Sequence, residues 1–99
     1  MPYITDLEID AEDGNRAHIE RHGMTVDEVL QVLDNGLFVV IRNRGARRAP
    51  YVMIGPTYGG RLLTVPIVPT DVDGVWRPIT AWDAKTGERT IYDNNRRRP

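Results

Sequence analysis

The spacing of apolar residues changes once in this chain, at Asn35-Gly36. Before that point four apolar residues recur at helical spacing and form one stripe, and after it residues 37–41 are a continuous apolar, β-branched run. The stripe consists of Val26, Val29, Leu30 and Leu33. This order predicts a helix followed directly by sheet.

Two helices are predicted before Asn35-Gly36. Thr25 and Glu28 have the spacing of a capping box, in which each side chain accepts a hydrogen bond from the other residue's backbone N–H. A shorter helix is predicted to begin at residues 13–15 and to run through Arg21 or His22. It ends at Gly23, which suits a left-handed cap.

Four strands are predicted after the helices, at residues 37–41, 51–55, 61–68 and 75–82. Asp73-Gly74 indicates the hairpin between the last two strands. Pro66 and Pro78 have no backbone N–H to donate to a neighbouring strand, so they mark sheet edges or bulges.

Residues 83–92 fit two structures. Residues 85–88 resemble a hairpin turn that leads to a strand at residues 89–92. The alternative is a helix capped by Asp83, in which Gly87 would cost about 1 kcal/mol relative to alanine. The residues alone slightly favour the hairpin.

The predicted fold class is α+β. Two N-terminal helices pack on a four-stranded antiparallel sheet, and a C-terminal helix or hairpin follows. The 99 residues make a single domain, 1–99, in which residues 93–99 form a flexible basic tail.

The net charge of −1 conceals an uneven distribution of charge. Residues 1–34 contain nine acidic and two basic side chains, whereas residues 35–99 contain five acidic and eleven basic ones. All the bases except Lys85 are arginines, whose planar donors suit phosphates and carboxylates. One interpretation is a basic face that binds an anion, and the other is that these charges only solvate the surface.

The chain has no cysteine, which excludes disulfides, thiolate metal sites and cysteine nucleophiles. No stretch has the pattern of a signal peptide, and no apolar run approaches the roughly 20 residues of a membrane span. These features predict a cytoplasmic protein that does not associate with a membrane.

Several motifs resemble those of the BrnT-type toxins when read in order. The first is Asn15-x-x-His18-Ile19-x-Arg21-His22-Gly23-Met24-Thr25, followed by the Glu28-Val29-x-x-Val32-Leu33 helix. The second is Tyr51-Val52-Met53-Ile54-Gly55-x-Thr57-x-x-Gly60-Arg61-Leu62-Leu63, and looser matches follow at Ile79-Thr80-Ala81 and Glu88-Arg89-x-x-Tyr92. The resemblance extends from about residue 9 to residue 92.

This resemblance implies a RelE-like microbial ribonuclease fold and the toxin half of a toxin–antitoxin pair. It implies RNA cleavage without a metal or a cofactor, and an antitoxin partner of the ribbon-helix-helix type. It also favours the helix over the hairpin at residues 83–92. A homodimer and a toxin–antitoxin hetero-oligomer are both compatible with it.

The chain departs from the family pattern at two positions. The family has a tryptophan near the start of its first element, where residues 7–10 contain none. It also has an arginine after the Ile-Thr-Ala motif, where this chain has Trp82. The alternative function is therefore a non-catalytic member of the fold that binds proteins or nucleic acid.

Arginines are the candidate phosphate-binding residues, because metal-free cleavage needs cations that stabilise the phosphorane charge. Arg61 follows a Gly-Gly turn and Arg77 lies within a strand, and we expect them to converge on one concave patch. A salt bridge to an acidic side chain of the first helix is the alternative for Arg61. Four further arginines are predicted to attract RNA more generally: Arg42, Arg44, Arg47 and Arg48.

Three other side chains are candidates for proton transfer. His22 lies four residues after His18, and either can be an acid or a base near neutral pH, although the pair is interpreted mainly as structural. No third ligand accompanies them at a zinc-site spacing. Glu88 and Tyr92 would share a helical face as base and proton donor, with an ion pair and ring packing as the alternative.

The two tryptophans complete the predicted RNA-binding residues. Trp76 and Trp82 are six residues apart on one predicted strand and are therefore expected on the same face of the sheet. Trp82 is a candidate for stacking on an RNA base, and core packing or antitoxin contact is the alternative.

Overall fold

The computed structural model describes residues 3–9, 15–43 and 49–96. Within these ranges the order is β1 (Asp6–Leu7), α1 (Asn15–Arg21), α2 (Val26–Asn35), β2 (Val39–Arg42), β3 (Tyr51–Pro56), β4 (Leu62–Pro69), β5 (Val75–Pro78), β6 (Trp82–Asp83) and α3 (Thr86–Arg96). The sheet order is β1-β5-β4-β3-β2, and β6 pairs with β4 beyond the end of β5. The α+β class is confirmed.

Helix α2 begins and ends as the sequence predicts. The Glu28 backbone N–H donates to Thr25 Oγ1 at 3.1 Å, and the Thr25 N–H donates to Glu28 Oε1 at 3.0 Å, which closes the capping box. At the other end Gly36 has φ 72°, and its N–H donates to the Leu33 carbonyl. Val29 and Val32 of this helix are fully buried against the sheet.

The sheet has a core on each face. On the helix-pair face, Met53, Leu63, Val65 and Ile67 pack with Ile19 of α1 and with Val29 and Val32 of α2. On the α3 face, Val52, Ile54 and Leu62 pack with Ala84 and Tyr92. Consecutive residues of a strand point to opposite faces, and β3 and β4 are buried on both because helices cover both.

The predicted four-stranded antiparallel sheet is wrong in strand number and in direction. Strand β1 adds to the edge of the sheet by pairing in parallel with β5, so the sheet is mixed. The predicted strand at residues 75–82 also divides into β5 and β6. Between the pairs Ile67–Pro78 and Thr64–Trp82, two residues of β4 lie opposite the three residues 79–81, which is a bulge.

Pro66 explains the position of the bulge. Its carbonyl accepts the Ile79 N–H at 2.9 Å, so its backbone nitrogen faces the same neighbouring segment and has no hydrogen to donate there. The prediction that Pro66 marks an edge or a bulge is therefore confirmed, although the strand is central.

The bulge also overturns the expectation that both tryptophans share a face. Trp76 lies on the helix-pair face, where its ring meets Tyr51 edge-on with 5.6 Å between centroids. Trp82 is paired with Thr64 and lies on the α3 face. One extra residue between two positions six apart reverses the alternation of side chains.

Residues 86–92 are helical rather than part of a hairpin, because α3 runs from Thr86 to Arg96, and Asp83 belongs to β6 instead of capping the helix. The Glu88 carboxylate accepts the Lys85 backbone N–H at 2.8 Å at the start of the helix. Tyr92 is buried, and its hydroxyl donates to the Leu37 carbonyl at 2.7 Å. This tertiary packing outweighs the cost of about 1 kcal/mol at Gly87. Residues 93–96 are therefore helical rather than part of a flexible tail, and residues 97–99 lie outside the described ranges.

Gly55 lies where α2 and the residues next to β2 pack closely on β3. We expect a substitution at this position to be tolerated poorly. A Cβ there would lie 2.7 Å from Phe38 Cβ, 2.9 Å from Phe38 Cα and 2.9 Å from Val32 Cγ1. We expect Gly55→Ala to lower the free energy of unfolding by about 1–3 kcal/mol, because backbone must move to admit the methyl group. Urea denaturation measures this loss.

Gly87→Ala is the matched control for that measurement. A Cβ at Gly87 meets nothing within 4 Å, so this change is expected to stabilise α3 by about 0.5–1 kcal/mol. Equal stability of Gly55→Ala and the unsubstituted protein would contradict the close approach of Phe38 to β3.

Candidate functional site

Helix α1 is fixed to the domain through Asn15 and Ile19, and its two histidines are exposed. Asn15 is 3% exposed and donates from Nδ2 to the Glu8 carbonyl at 3.0 Å, and Ile19 is fully buried in the core. His18 lies within the helix and His22 directly after it, and both are exposed. Both histidine side chains are therefore accessible at the surface of the domain.

An open cleft of about 480 Å³, named here the histidine cleft, lies between α1 and the segment that includes the ends of β4 and β5. Its lining residues are Asn15, His18, His22, Val68, Arg77, Ile79 and Thr80. Thr80 Oγ1 donates to the His18 carbonyl at 3.2 Å, so the bulge segment is bonded directly to α1. The bulge thus brings residues 79 and 80 to the histidines.

Arg77 belongs to this cleft and also to a second one. It pairs with Val68 and so lies on the opposite face from Ile67 and the helix-pair core. Its Nη1 is 3.4 Å from Glu8 Oε1, and its side chain is 31% exposed. A neighbouring cleft of about 400 Å³, named here the Glu8 cleft, is lined by Glu8, Pro69, Thr70, Asp71, Val72 and Arg77.

Arg61 is held by two carboxylates. Its Nε and Nη2 donate to the two oxygens of Asp83 at 2.7 and 3.1 Å, and its Nη1 donates to Glu28 Oε2 at 3.2 Å. These bonds, that to Asp83 foremost, raise the pKa of Arg61 and lower the pKa of Asp83. Partial burial raises the pKa of Glu28, but hydrogen bonds from the Thr25 backbone and from Arg61 outweigh it, and the pKa lies below its usual value.

The structure does not bring Arg61 and Arg77 together. Arg61 precedes the first residue of β4, whereas Arg77 pairs with Val68 near the end of that strand. Seven residues of extended chain separate these positions, or about 23 Å at roughly 3.3 Å per residue. Each arginine also contacts its own carboxylates. The expected two-arginine phosphate clamp is absent, and Arg61 forms salt bridges with Glu28 of α2 and with Asp83 rather than with an acidic residue of α1.

Glu88, Tyr92 and Trp82 have structural contacts away from the histidine cleft. The Glu88 carboxylate accepts hydrogen bonds from Thr64 Oγ1 and Trp82 Nε1, each at 3.0 Å, besides the Lys85 N–H. Tyr92 is 4% exposed in the α3 core. The Lys85 Nζ lies 5.7 Å from the centroid of the half-buried Trp82 ring. None of the three lines the histidine cleft.

Of the remaining predicted RNA-binding arginines, the structure describes Arg42, which does not line this cleft. Arg42 is exposed at the end of β2, and β2 lies at the opposite edge of the sheet from β1 and β5. Arg44, Arg47 and Arg48 lie outside the described residues.

Sequence reasoning missed two residues near Arg77, and a signal was present for one of them. Asn15, His18 and His22 occur at i, i+3 and i+7, the spacing of a single helical face, which would have placed Asn15 beside the histidines. Glu8 had no such signal, because it reaches Arg77 only through the parallel pairing of β1 with β5.

Among residues 3–9, 15–43 and 49–96, no three histidine or carboxylate side chains are grouped as metal ligands. No helix in these ranges is long and apolar enough to cross a membrane.

Comparison of the chain with protein-family models and with curated proteins finds no match. The resemblance to the BrnT-type toxins therefore remains a prediction based on the motifs.

The carboxylates around Arg61 predict a pH dependence of stability. The folded-state pKa values of Glu28 and Asp83 are lowered, so these groups stabilise the fold above the unfolded pKa values of about 4. That contribution is lost as the pH falls through the folded values. We expect Arg61→Gln to be less stable than the unsubstituted protein by up to about 1 kcal/mol at pH 5, because the pairs are partly exposed. Urea denaturation at several pH values from 5 to 2 should show the difference disappearing.

Arg42→Gln is the control for this series, because Arg42 is exposed on the edge strand. It should leave the pH dependence unchanged. A difference between Arg61→Gln and the unsubstituted protein that persists at pH 2 would contradict an ionic origin.

Proposed function

We propose that this chain is the toxin component of a toxin–antitoxin system and cleaves RNA without a metal ion, with the histidine cleft as the active site. The observation that carries the proposal is the presence of two imidazoles and one guanidinium, from His18, His22 and Arg77, around one open cleft. The motif resemblance supports the same activity independently of that geometry.

These side chains suit cleavage by the RNA 2′-hydroxyl. A base must remove the proton from the 2′-oxygen, a cation must stabilise the charge on the phosphorane, and an acid must protonate the departing 5′-oxygen. Histidine is the side chain that exchanges protons most readily near neutral pH. Arg77 provides a permanent positive charge at the same cleft.

The proposed site differs from the one expected from the sequence. Arg61, Glu88 and Tyr92 are replaced as catalytic candidates by His18, while His22 and Arg77 are retained. Trp82 stands where the family has an arginine, and it lies outside the histidine cleft, so that departure does not remove a residue from the proposed site.

The partners follow from the same proposal. RNA is the substrate, and the regulating partner is an antitoxin of the ribbon-helix-helix type that keeps the cytoplasmic toxin inactive. A short reading frame for such a protein beside the gene would support the pair.

One observation favours a second candidate function. Both Arg61 and Arg77 contact carboxylates, which compete with RNA phosphates for them. The alternative is a non-catalytic domain of the same fold that binds protein or nucleic acid.

Cleavage of RNA by the purified chain tests the two candidates. We expect fragments with 2′,3′-cyclic phosphate and 5′-hydroxyl ends in the presence of a chelator. His22→Ala and Arg77→Gln should each slow cleavage by about 10²-fold or more, because each removes a group that acts in the transition state. Arg61→Gln is the matched arginine control and should cleave within a few-fold of the unsubstituted rate. Sequencing of the RNA fragments measures cleavage, and growth of cells after induction of the protein measures toxicity.

Intact RNA after incubation with the folded, unsubstituted protein would reject the ribonuclease proposal and favour the binding domain. Cleavage that survives the combined substitution of His18, His22 and Arg77 would place the active site elsewhere.

A further inference from the structure

Arg77 lies where two clefts meet. Among the residues that the structure describes, Arg77 alone lines both the histidine cleft and the Glu8 cleft. His18 and His22 line one cleft, and Glu8 lines the other. A phosphate bound at Arg77 would therefore have imidazoles on one side and a carboxylate on the other.

The backbone of Glu8 is fixed although its side chain is 55% exposed. Its N–H donates to the Trp76 carbonyl at 2.8 Å, which continues the pairing of β1 with β5. Its carbonyl accepts the hydrogen bond from the buried Asn15 amide at 3.0 Å. Asn15 also begins α1 and lines the histidine cleft, so one buried residue positions Glu8 relative to the histidines.

The contact between Glu8 and Arg77 is weaker than those of Arg61. It joins one nitrogen to one oxygen at 3.4 Å, whereas Arg61 bonds to two carboxylates at 2.7–3.2 Å. A phosphate that binds Arg77 would displace this 3.4 Å contact, and Glu8 would remain beside it.

We infer that Glu8 is the general base of the cleavage reaction, and that the scissile phosphate binds at Arg77 with its two nucleotides in opposite clefts. This inference rests on the proposed ribonuclease function. The nucleotide with the attacking 2′-hydroxyl occupies the Glu8 cleft, and the departing nucleotide occupies the histidine cleft. The attacking 2′-oxygen and the departing 5′-oxygen lie in line on opposite sides of the phosphorus, so the base and the acid must also lie on opposite sides. This arrangement places them there.

The reaction is balanced in protons and bonds. Glu8 takes the 2′-hydroxyl proton while the 2′-oxygen forms a bond to phosphorus. The bond from phosphorus to the 5′-oxygen breaks, and a protonated histidine of the cleft gives its proton to that oxygen. Arg77 stabilises the added negative charge on the non-bridging oxygens. The products are a 2′,3′-cyclic phosphate and a 5′-hydroxyl, and water returns the proton from Glu8 to the histidine.

The test compares two RNA substrates, a natural one and one whose scissile 5′-oxygen is replaced by sulfur. A thiolate departs without being protonated, so the second substrate needs a base but no acid. We expect Glu8→Gln to slow both reactions by about 10²-fold or more. His18→Ala and His22→Ala are tested in parallel, and the variant that removes the acid should be slow only on natural RNA.

Three further measurements separate catalysis from a structural role of Glu8. Glu8→Gln should bind an RNA with a 2′-deoxy sugar at the scissile position at least as tightly as the unsubstituted protein, because the competing carboxylate is gone. Its kcat/KM should also lose the fall in rate at acidic pH that a carboxylate base causes. Glu8→Asp should restore part of the rate, since it keeps a carboxylate.

Glu20→Gln is the matched control, because Glu20 is an exposed acid of α1 that contacts Arg16 and lines neither cleft. It should cleave at the unsubstituted rate. Glu8→Gln that cleaves natural RNA at the unsubstituted rate or faster would overturn the assignment while leaving the ribonuclease function intact. An unsubstituted protein that cleaves neither substrate would overturn both.

Discussion

The missing backbone hydrogen of Pro66 is the constraint on which the arrangement of the candidate site depends. Pro66 lies within β4, the strand that pairs with β3, β5 and β6, and it interrupts the pairing on one side only. The segment beside Pro66 forms a bulge at residues 79–81. This bulge ends β5 just after Arg77 and places Thr80 against α1. Without that interruption a straight strand would hold residues 79 and 80 in the sheet, away from the histidines.

Local sequence signals predicted the parts of the fold that local interactions determine. The capping box and Gly36 defined α2, and the β-branched runs identified β2 to β4 to within two residues at each end. Strand β1 was missed because it has two residues and forms only by pairing with β5, far away in sequence. The residues alone slightly favoured a hairpin over helix α3, because the sequence does not show the burial of Tyr92, the tertiary effect that outweighs the penalty at Gly87.

The candidate site was predictable only in part for the same reason. Arg77 and His22 were selected from residue type and position, and the structure places both around one cleft. Arg61 was selected by the same reasoning, yet it lies between Glu28 and Asp83, whose sequence positions are 33 and 22 residues away. An arginine's chemistry depends on the carboxylates that surround it, and a single sequence does not reveal which acids those are.

The parallel pairing of β1 with β5 has a consequence for synthesis of the protein on the ribosome. Asp6 pairs with Val75, and the Thr5 hydroxyl bonds to the Gly74 carbonyl across 69 positions of the chain. Strand β1 must therefore wait for β5, and such distant contacts form late. Because Glu8 reaches Arg77 through this pairing, a nascent chain holds the two apart until β5 has been synthesised. The proposed site is therefore incomplete until β5 joins the sheet.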